Sequence, residues 1–194
     1  MLFMDPLVST SLSVQRATAI PKHFETIDVR GRAIHVTLPQ SIGSVTGYHL
    51  FIVYTDQKGK QFICQGLPFD PATGNIAPDE ILPSDPTGLV IKGQCIPLRP
   101  NNRDFIPDAP SITVLSGSDT KQAYNCFFKE TGIFNDANIP YHMVTGPNSN
   151  SYTRSMLDKC NILAMKPAVA IFTPGWDISI NLDDKPLKPH PHYF

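Results

Sequence analysis

The feature that most constrains the fold of this chain is a β-hairpin. Residues 48–66, YHLFIVYTDQKGKQFICQG, contain two runs of β-branched and aromatic residues on either side of a polar turn at residues 56–59. A glycine in such a turn is typical of a connection between two antiparallel strands. Upstream, AIHVTLP at residues 33–39 alternates in the manner of a third strand. The sequence therefore predicts an antiparallel sheet around this hairpin.

Two later segments carry a helical pattern. Residues 118–139 begin with Ser118 and Asp119 as candidate caps, and four side chains fall on one helical face, namely Ala123, Cys126, Phe127 and Phe134. A second helix is predicted from Ser149 to Cys160, with a buried stripe at Tyr152, Met156 and Leu157. Both helices are amphipathic, so each is expected to pack one face against the sheet.

The chain is predicted to form one α+β domain with two flanking segments. Residues 1–26 indicate an N-terminal arm, and residues 183–194 form a proline-rich tail. Residues 27–182 are expected to form one domain with an antiparallel sheet of about five or six strands packed against the two helices. Its last strands are expected at residues 140–145, 168–176 and 178–182.

Nineteen prolines, many of them beside Asp, Gly or Asn, predict long loops. They are dense in residues 67–108, which we interpret as an insertion that shapes or covers a cleft. Only residues 88–98, GLVIKGQCIPL, have the pattern of a short strand there.

The four cysteines lie among apolar neighbours and are widely spaced, which favours buried thiols. One or two disulfides in an oxidising compartment are the alternative. No C-x-x-C pair occurs, so a zinc site is not expected at Cys64, Cys95, Cys126 or Cys160.

Charge and motifs narrow the range of partners. Charged residues make up 17 % of the chain and give a formal net charge of -1, which indicates neither nucleic acid nor an anionic membrane as a partner. No apolar run approaches the roughly 20 residues of a transmembrane helix. No phosphate-binding glycine loop is present, and we predict no cofactor and no metal. Asp5 and Pro6 interrupt the apolar start, so no signal peptide is expected; localisation is left open, with cytoplasmic synthesis and non-classical export as one route.

The segment TGPNSNSYTRSML, residues 145–157, presents one hydroxyl between two amides at the start of the second helix. The first turn of a helix has unpaired N–H groups and the positive end of the helix dipole, which stabilise an anionic nucleophile or an oxyanion. Asn148 or Ser149 is also a favoured cap residue, so the same pattern is typical of an ordinary helix start. The residues alone leave both interpretations open.

A resemblance favours the catalytic interpretation. GPNSNSYTRSML resembles the active-site helix start of papain-like hydrolases of the NlpC type, in particular their circularly permuted branch, which includes the lecithin retinol acyltransferase-like proteins. In that family an Asn- or Asp-Cys pair opens the helix, and an aromatic or aliphatic residue follows three places after the cysteine. Asn148-Ser149 and Tyr152 match this pattern. The permuted branch carries its histidine earlier, where a strand leads into a hairpin, and His49 has that place.

The resemblance implies a hydrolase or acyltransferase that cleaves an amide or ester, for example a peptide bond of the bacterial cell wall. Ser149 would attack the carbonyl carbon, and His49 would accept its proton. Gln65 would orient the imidazole, with Gln61 and His35 as alternatives. The partners implied are a peptide, cell-wall or acyl substrate.

The oxyanion would be held by the Ser149 N–H together with a side-chain amide from Asn148 or Asn150. His142, just before the motif, is a competing base. His190 and His192 are of a type and spacing that could bind a metal, but the prolines around them predict an unstructured tail.

The chain departs from the family in having serine where cysteine is expected, and a serine needs a general base. The serine could be an active nucleophile, a retired one, or a replacement of a native cysteine. In the second case the protein would be a binding or effector module that contacts a protein partner through Trp176 and the insertion loops. A phage or virion structural component is a third possibility.

Overall fold

The computed structural model describes residues 24–37, 44–77, 87–144 and 146–182. The predicted tail and most of the predicted arm, with His190 and His192, lie outside these residues. Within them the chain forms six strands and two helices: β1 Thr26–Thr37, β2 Ser44–Thr55, β3 Gln61–Asp70, β4 Asn75–Ile76, β5 Val90–Pro97, β6 Ser111–Ser116, α1 Thr120–Asp136 and α2 Ser149–Lys159. The prediction of an α+β fold with an antiparallel sheet and two helices is confirmed.

The sheet is antiparallel and is organised around the predicted hairpin. β2 pairs with β3 from Thr55↔Gln61 to Ile52↔Cys64, and on its other side β2 pairs with the whole of β1. β6 lies beyond β1, and the short β4 pairs with the end of β3. In the turn, Asp56 accepts hydrogen bonds from the backbone N–H groups of Lys58 and Lys60 at 2.9 and 2.8 Å. The hairpin prediction is therefore confirmed.

The region expected to be an irregular insertion contributes to the sheet. β5 pairs with β3 from Phe62↔Pro97 to Phe69↔Val90, so it covers almost the full length of that strand. β5 confirms the short strand predicted at residues 88–98. Periodicity did not predict β6, because its burial alternates only between exposed and half-buried positions. Both strands owe their place to pairing with neighbours that are distant in the sequence.

Three predicted strands do not form. Residues 140–144 contribute an isolated bridge between Pro140 and Val90, and residues 162–182 are turns and irregular backbone. Pro167 and Pro174 have no N–H to donate to a ladder, and Gly175 has a φ of +77°. These residues interrupt the run at residues 168–176, so it does not pair as a strand.

The two faces of the sheet are covered differently. Leu50, Ile52 and Tyr54 of β2 pack in the main core with the helices, whereas Phe51 and Val53 point to the opposite face and pack with Ile63, Leu98 and Phe105. The predicted helical stripes are largely confirmed: Ala123, Phe127, Phe134, Tyr152, Met156 and Leu157 are buried, and Cys126 is half-buried. Neither described helix is long and apolar enough to cross a membrane.

The cysteines are paired, which corrects the expectation of buried thiols. Cys64 joins Cys95, its direct partner across β3 and β5, and Cys126 of α1 joins Cys160 at the end of α2. The apolar neighbours reflect the burial of both bridges in or beside the core. Sequence spacing alone could not show this, because four cysteines allow three pairings.

We expect the Cys126–Cys160 bridge to contribute to stability, since it closes a sequence separation of 34 residues. Replacing both cysteines by alanine is expected to lower the free energy of unfolding by about 3–4 kcal/mol, as measured by urea titration. Thiol titration of the unfolded parent chain under non-reducing conditions is the control, and no free thiol is expected. Four reactive thiols per chain would contradict this pairing.

Candidate active site

The candidate site lies where β2 and β3 separate. Their ladder ends at Ile52↔Cys64, which leaves residues 48–50 of β2 without strand partners on that side. The start of α2 supplies three of the missing partners, and the Phe172 carbonyl accepts from the Tyr48 N–H. The Asn150 side chain accepts from the Leu50 N–H at 2.7 Å and donates to the Tyr48 carbonyl at 2.9 Å, and Thr153 Oγ1 donates to the Leu50 carbonyl at 2.9 Å. The helix start is thereby held in the gap between the two strands.

The α2 N-terminus is capped by Asn148, as predicted. Its Oδ1 accepts from the backbone N–H groups of Asn150 and Ser151 at 2.8 and 3.4 Å, and Ser151 Oγ accepts from the Asn148 N–H. This reciprocal arrangement is a capping box. A Cβ on Gly175 would come within 2.5 Å of Asn148 Oδ1, so a side chain at position 175 would displace the cap.

Three predicted residues meet at this gap. Ser149 Oγ lies 2.9 Å from His49 Nδ1, and His49 Nε2 lies 2.9 Å from Gln65 Oε1. The sheet explains the meeting, because period-two alternation points His49 and Gln65 to the same face as Phe51 and Ile63. Ser149 reaches them from the helix side through the gap.

The hydrogen bonds define a tautomer. Since Gln65 Oε1 can only accept, the matching donor is the Nε2–H of His49, which leaves Nδ1 free of a proton. Nδ1 then accepts from the Ser149 hydroxyl. This is the arrangement in which an imidazole acts as a general base toward a serine.

The site is enclosed. The exposed fractions are 6 % for Ser149, 2 % for His49 and 4 % for Gln65. Burial excludes water from the hydrogen bonds and strengthens their electrostatic component. Ser149 also has the first N–H of α2, and no acceptor for this group occurs in the described part of the chain. That N–H is available to an oxyanion.

The other predicted binding groups are occupied. Asn150 donates both of its amide N–H groups, to the carbonyls of Tyr48 and Pro174, so it holds the helix rather than an oxyanion. Asn148 Nδ2 donates to the Met143 carbonyl at 2.9 Å. Trp176 is 5 % exposed and packs in the main core, which corrects its prediction as a contact surface. Arg154 lies over its ring at 5.9 Å.

The alternative bases and orienting groups lie elsewhere. His35 is exposed on β1 opposite Thr46, and Gln61 donates to Thr55 Oγ1 at the turn end of the hairpin. His142 packs against Gly146 in the loop before α2. Ser149 faces His49 instead.

One neighbouring ion pair has no signal in the sequence. Arg32 is the direct partner of His49 across β1 and β2, and its Nε donates to Asp104 Oδ1 at 2.7 Å. Both side chains are more than nine-tenths buried. Their charges compensate each other beside the site, where an isolated buried charge would be strongly destabilising. The two residues are 72 positions apart in the chain, and no sequence pattern links them.

Comparisons with protein-family models, with curated proteins and with solved structures find no match to this chain. The papain-like assignment therefore depends on the sequence resemblance and is a proposal.

Proposed function

We propose that this protein is a papain-like, permuted NlpC-type hydrolase or acyltransferase that acts on an amide or ester through Ser149. The observation that carries the proposal is the hydrogen-bonded series Ser149–His49–Gln65, with 2.9 Å at each step. Such a series, with its nucleophile on the first turn of a helix, contains a nucleophile, a base and a group that orients the base.

The reaction would proceed in two steps, acylation of Ser149 and then deacylation. Ser149 Oγ forms a bond to the substrate carbonyl carbon as its proton moves to His49 Nδ1, and the oxyanion accepts from the Ser149 N–H. The tetrahedral intermediate expels the amine or alcohol, which takes the proton from Nδ1. A water molecule, or a second alcohol or amine in an acyl transfer, then attacks the acyl-serine with the same proton transfers.

Gln65 has a distinct place in this proposal as a positioning residue. Its amide holds the His49 tautomer without adding a negative charge, so it does not stabilise the imidazolium as a carboxylate would. The base is therefore weaker than in a Ser-His-Asp site.

A non-catalytic binding module is the second candidate. The enclosure of Ser149 and His49 favours this candidate. A substrate carbonyl would have to reach Ser149 Oγ, and only 6 % of the Ser149 surface is exposed. In that case the hydrogen bonds would serve only to hold α2 in the gap. A cell-wall peptide as the substrate and a protein as the partner are both proposals from the resemblance.

We also infer that the protein works in an oxidising compartment. Two disulfides per chain are typical of secreted, periplasmic or surface proteins and are rare where thiols are kept reduced. This fits a substrate outside the cytosol, such as a cell-wall peptide.

The test is hydrolysis of acyl esters and peptidoglycan fragments by the parent chain and by two Gln65 variants. Gln65→Leu is expected to lower kcat roughly 100-fold, because the imidazole loses its tautomer and orientation. Gln65→Glu is expected to be more active than Gln65→Leu, because the carboxylate also holds the imidazole. It should also move the acid limb of the pH profile to higher pH than in the parent chain, because the carboxylate favours the imidazolium and raises the pKa of His49.

Gln57→Leu, an equivalent change in the exposed hairpin turn, is the control and should leave kcat and the pH profile unchanged. A parent chain with no activity on either substrate class would overturn the hydrolase proposal. An unmoved pH profile in Gln65→Glu would overturn the role of Gln65.

A further inference from the structure

A cavity of about 310 Å³ opens on the sheet face opposite the helices, next to the candidate active site. β3 and β5 form its floor, and the loop after β5 forms one wall. Its lining combines amide, carboxylate, guanidinium and aliphatic groups, including Gln65, Gln94, Arg103, Asp104, Leu67 and Ala77. This volume is at the lower end of the range for small-molecule sites and suits one amino-acid side chain with its flanking backbone.

Gln65 belongs to both the cavity and the candidate active site. Its Oε1 faces His49 Nε2 at 2.9 Å, so the Nε2 amino group is the part of the amide that remains for the cavity. The residue is 4 % exposed, and it lines the cavity with that small part of its surface. A buried amino group aimed into a cavity is a donor that a ligand can satisfy.

Gln94 supplies a second amide beside the first. It is the direct partner of Gln65 across β3 and β5, and directly opposite side chains point to the same face. No hydrogen bond joins the Gln94 side chain to another group in the described part of the chain. The pair therefore offers both donors and an acceptor within a short distance.

The lining carries one formal charge of each sign, on Arg103 and Asp104, so it has no net charge. Asp104 lines the cavity, and its Oδ1 accepts from Arg32 at 2.7 Å. A buried carboxylate that is already paired neither demands a cation nor admits an anion without cost. Leu67 and Ala77 add an aliphatic surface, with Ile76 at the rim. A neutral polar head on an aliphatic stem matches this combination.

We propose that this cavity is a substrate subsite for a side chain that ends in a primary carboxamide, as in a glutamine-type residue. The inference rests on the proposed function, and it places this side chain beyond His49 as seen from Ser149. The carboxamide carbonyl accepts from the Gln65 amino group, and its own N–H groups donate to Gln94 or Asp104. Occupancy also holds Gln65 in the conformation that orients His49, so binding and base positioning are coupled.

The test measures binding and not turnover, so it is independent of whether Ser149 is reactive. Full-length Ser149→Ala protein is titrated with the methylamides of N-acetylglutamine, N-acetylnorleucine and N-acetylglutamate, with NMR of the side-chain amides as the readout. The glutamine probe is expected to shift the Gln65 and Gln94 amide signals and to bind at least roughly tenfold more tightly than the other two, because they leave the site's amides unpaired or add a charge.

Two variants make the result specific. Gln94→Leu and Gln94→Met, which both remove the amide, are each expected to weaken binding of the glutamine probe at least roughly tenfold, whereas Gln57→Leu should not change it. Two variants are used so that a folding defect in one leaves the other informative. Equal binding of the norleucine probe, tighter binding of the glutamate probe, or shifts confined to other residues would overturn the subsite. Intact probe binding together with a parent chain that shows no activity would overturn the proposed function alone.

Discussion

Ser149→Ala is expected to lower kcat/KM on any acyl ester or amide substrate by about 1000-fold or more, because it removes the nucleophile while the oxyanion donor and the binding surface remain. The hydroxyl is the atom that meets His49 Nδ1 at 2.9 Å. The variant should fold normally. Asn148 and not Ser149 caps α2, and alanine is well tolerated at the first helical position.

Ser118→Ala, a change of the same kind at an exposed position before α1, is the control and should retain full activity. Ser149→Cys separates the two candidate functions. A thiol beside an imidazole at a helix start ionises readily, so this variant should be active in either case. Activity in the cysteine form with none in the parent would indicate a retired site, and activity in the parent that only alanine removes would indicate a working serine.

Gly93→Ala is expected to destabilise the fold by about 3 kcal/mol or more, because overpacking of a rigid core is strongly unfavourable. A Cβ at this position would contact the Tyr152 ring, with Cζ and Oη both at 2.8 Å. The ring cannot move away. It is fully buried, packs edge-on against Phe134 with ring centroids 5.0 Å apart, and its hydroxyl lies 2.6 Å from Thr131 Oγ1.

The paired Gly66 meets the same ring from β3, so two facing glycines form the flat surface on which α2 rests. Burial raises the pKa of Tyr152, which is consistent with an enclosed hydroxyl. Gly132→Ala is the matched control, since a Cβ at this exposed position in α1 meets nothing within 4 Å. It should stabilise the protein by up to about 1 kcal/mol. Equal unfolding free energies for the two variants would contradict this packing.

Local patterns predicted the elements that carry their own signal. The hairpin at residues 48–66 alternates strongly and has its turn chemistry in sequence, and α2 has both its cap and its stripe. The meeting of Ser149, His49 and Gln65 was predicted from a resemblance, and the ladder geometry gives it a physical reason, because β2 and β3 must separate for a helix start to enter between them.

The remaining features depend on partners far away in the chain. β6 is held by pairing with β1, and the run at residues 168–176 fails as a strand because proline and glycine interrupt its ladder. Asn150 illustrates the limit at the site. Its position in the motif suggested an oxyanion donor, but its two N–H groups donate to the Tyr48 carbonyl on the open edge of β2 and to the Pro174 carbonyl. The open edge of β2 arises where β3 separates from it, and no local sequence pattern predicts such an edge.

The most direct test of the account is the mass of the intact protein after reaction with a fluorophosphonate, followed by peptide mapping. If His49 activates Ser149, Oγ displaces fluoride from phosphorus, and one adduct per chain is expected on Ser149. The adduct should be absent from His49→Ala and from the urea-unfolded parent. A folded parent chain that stays unlabelled, or that carries its adduct on another residue, would contradict a reactive serine at the start of α2.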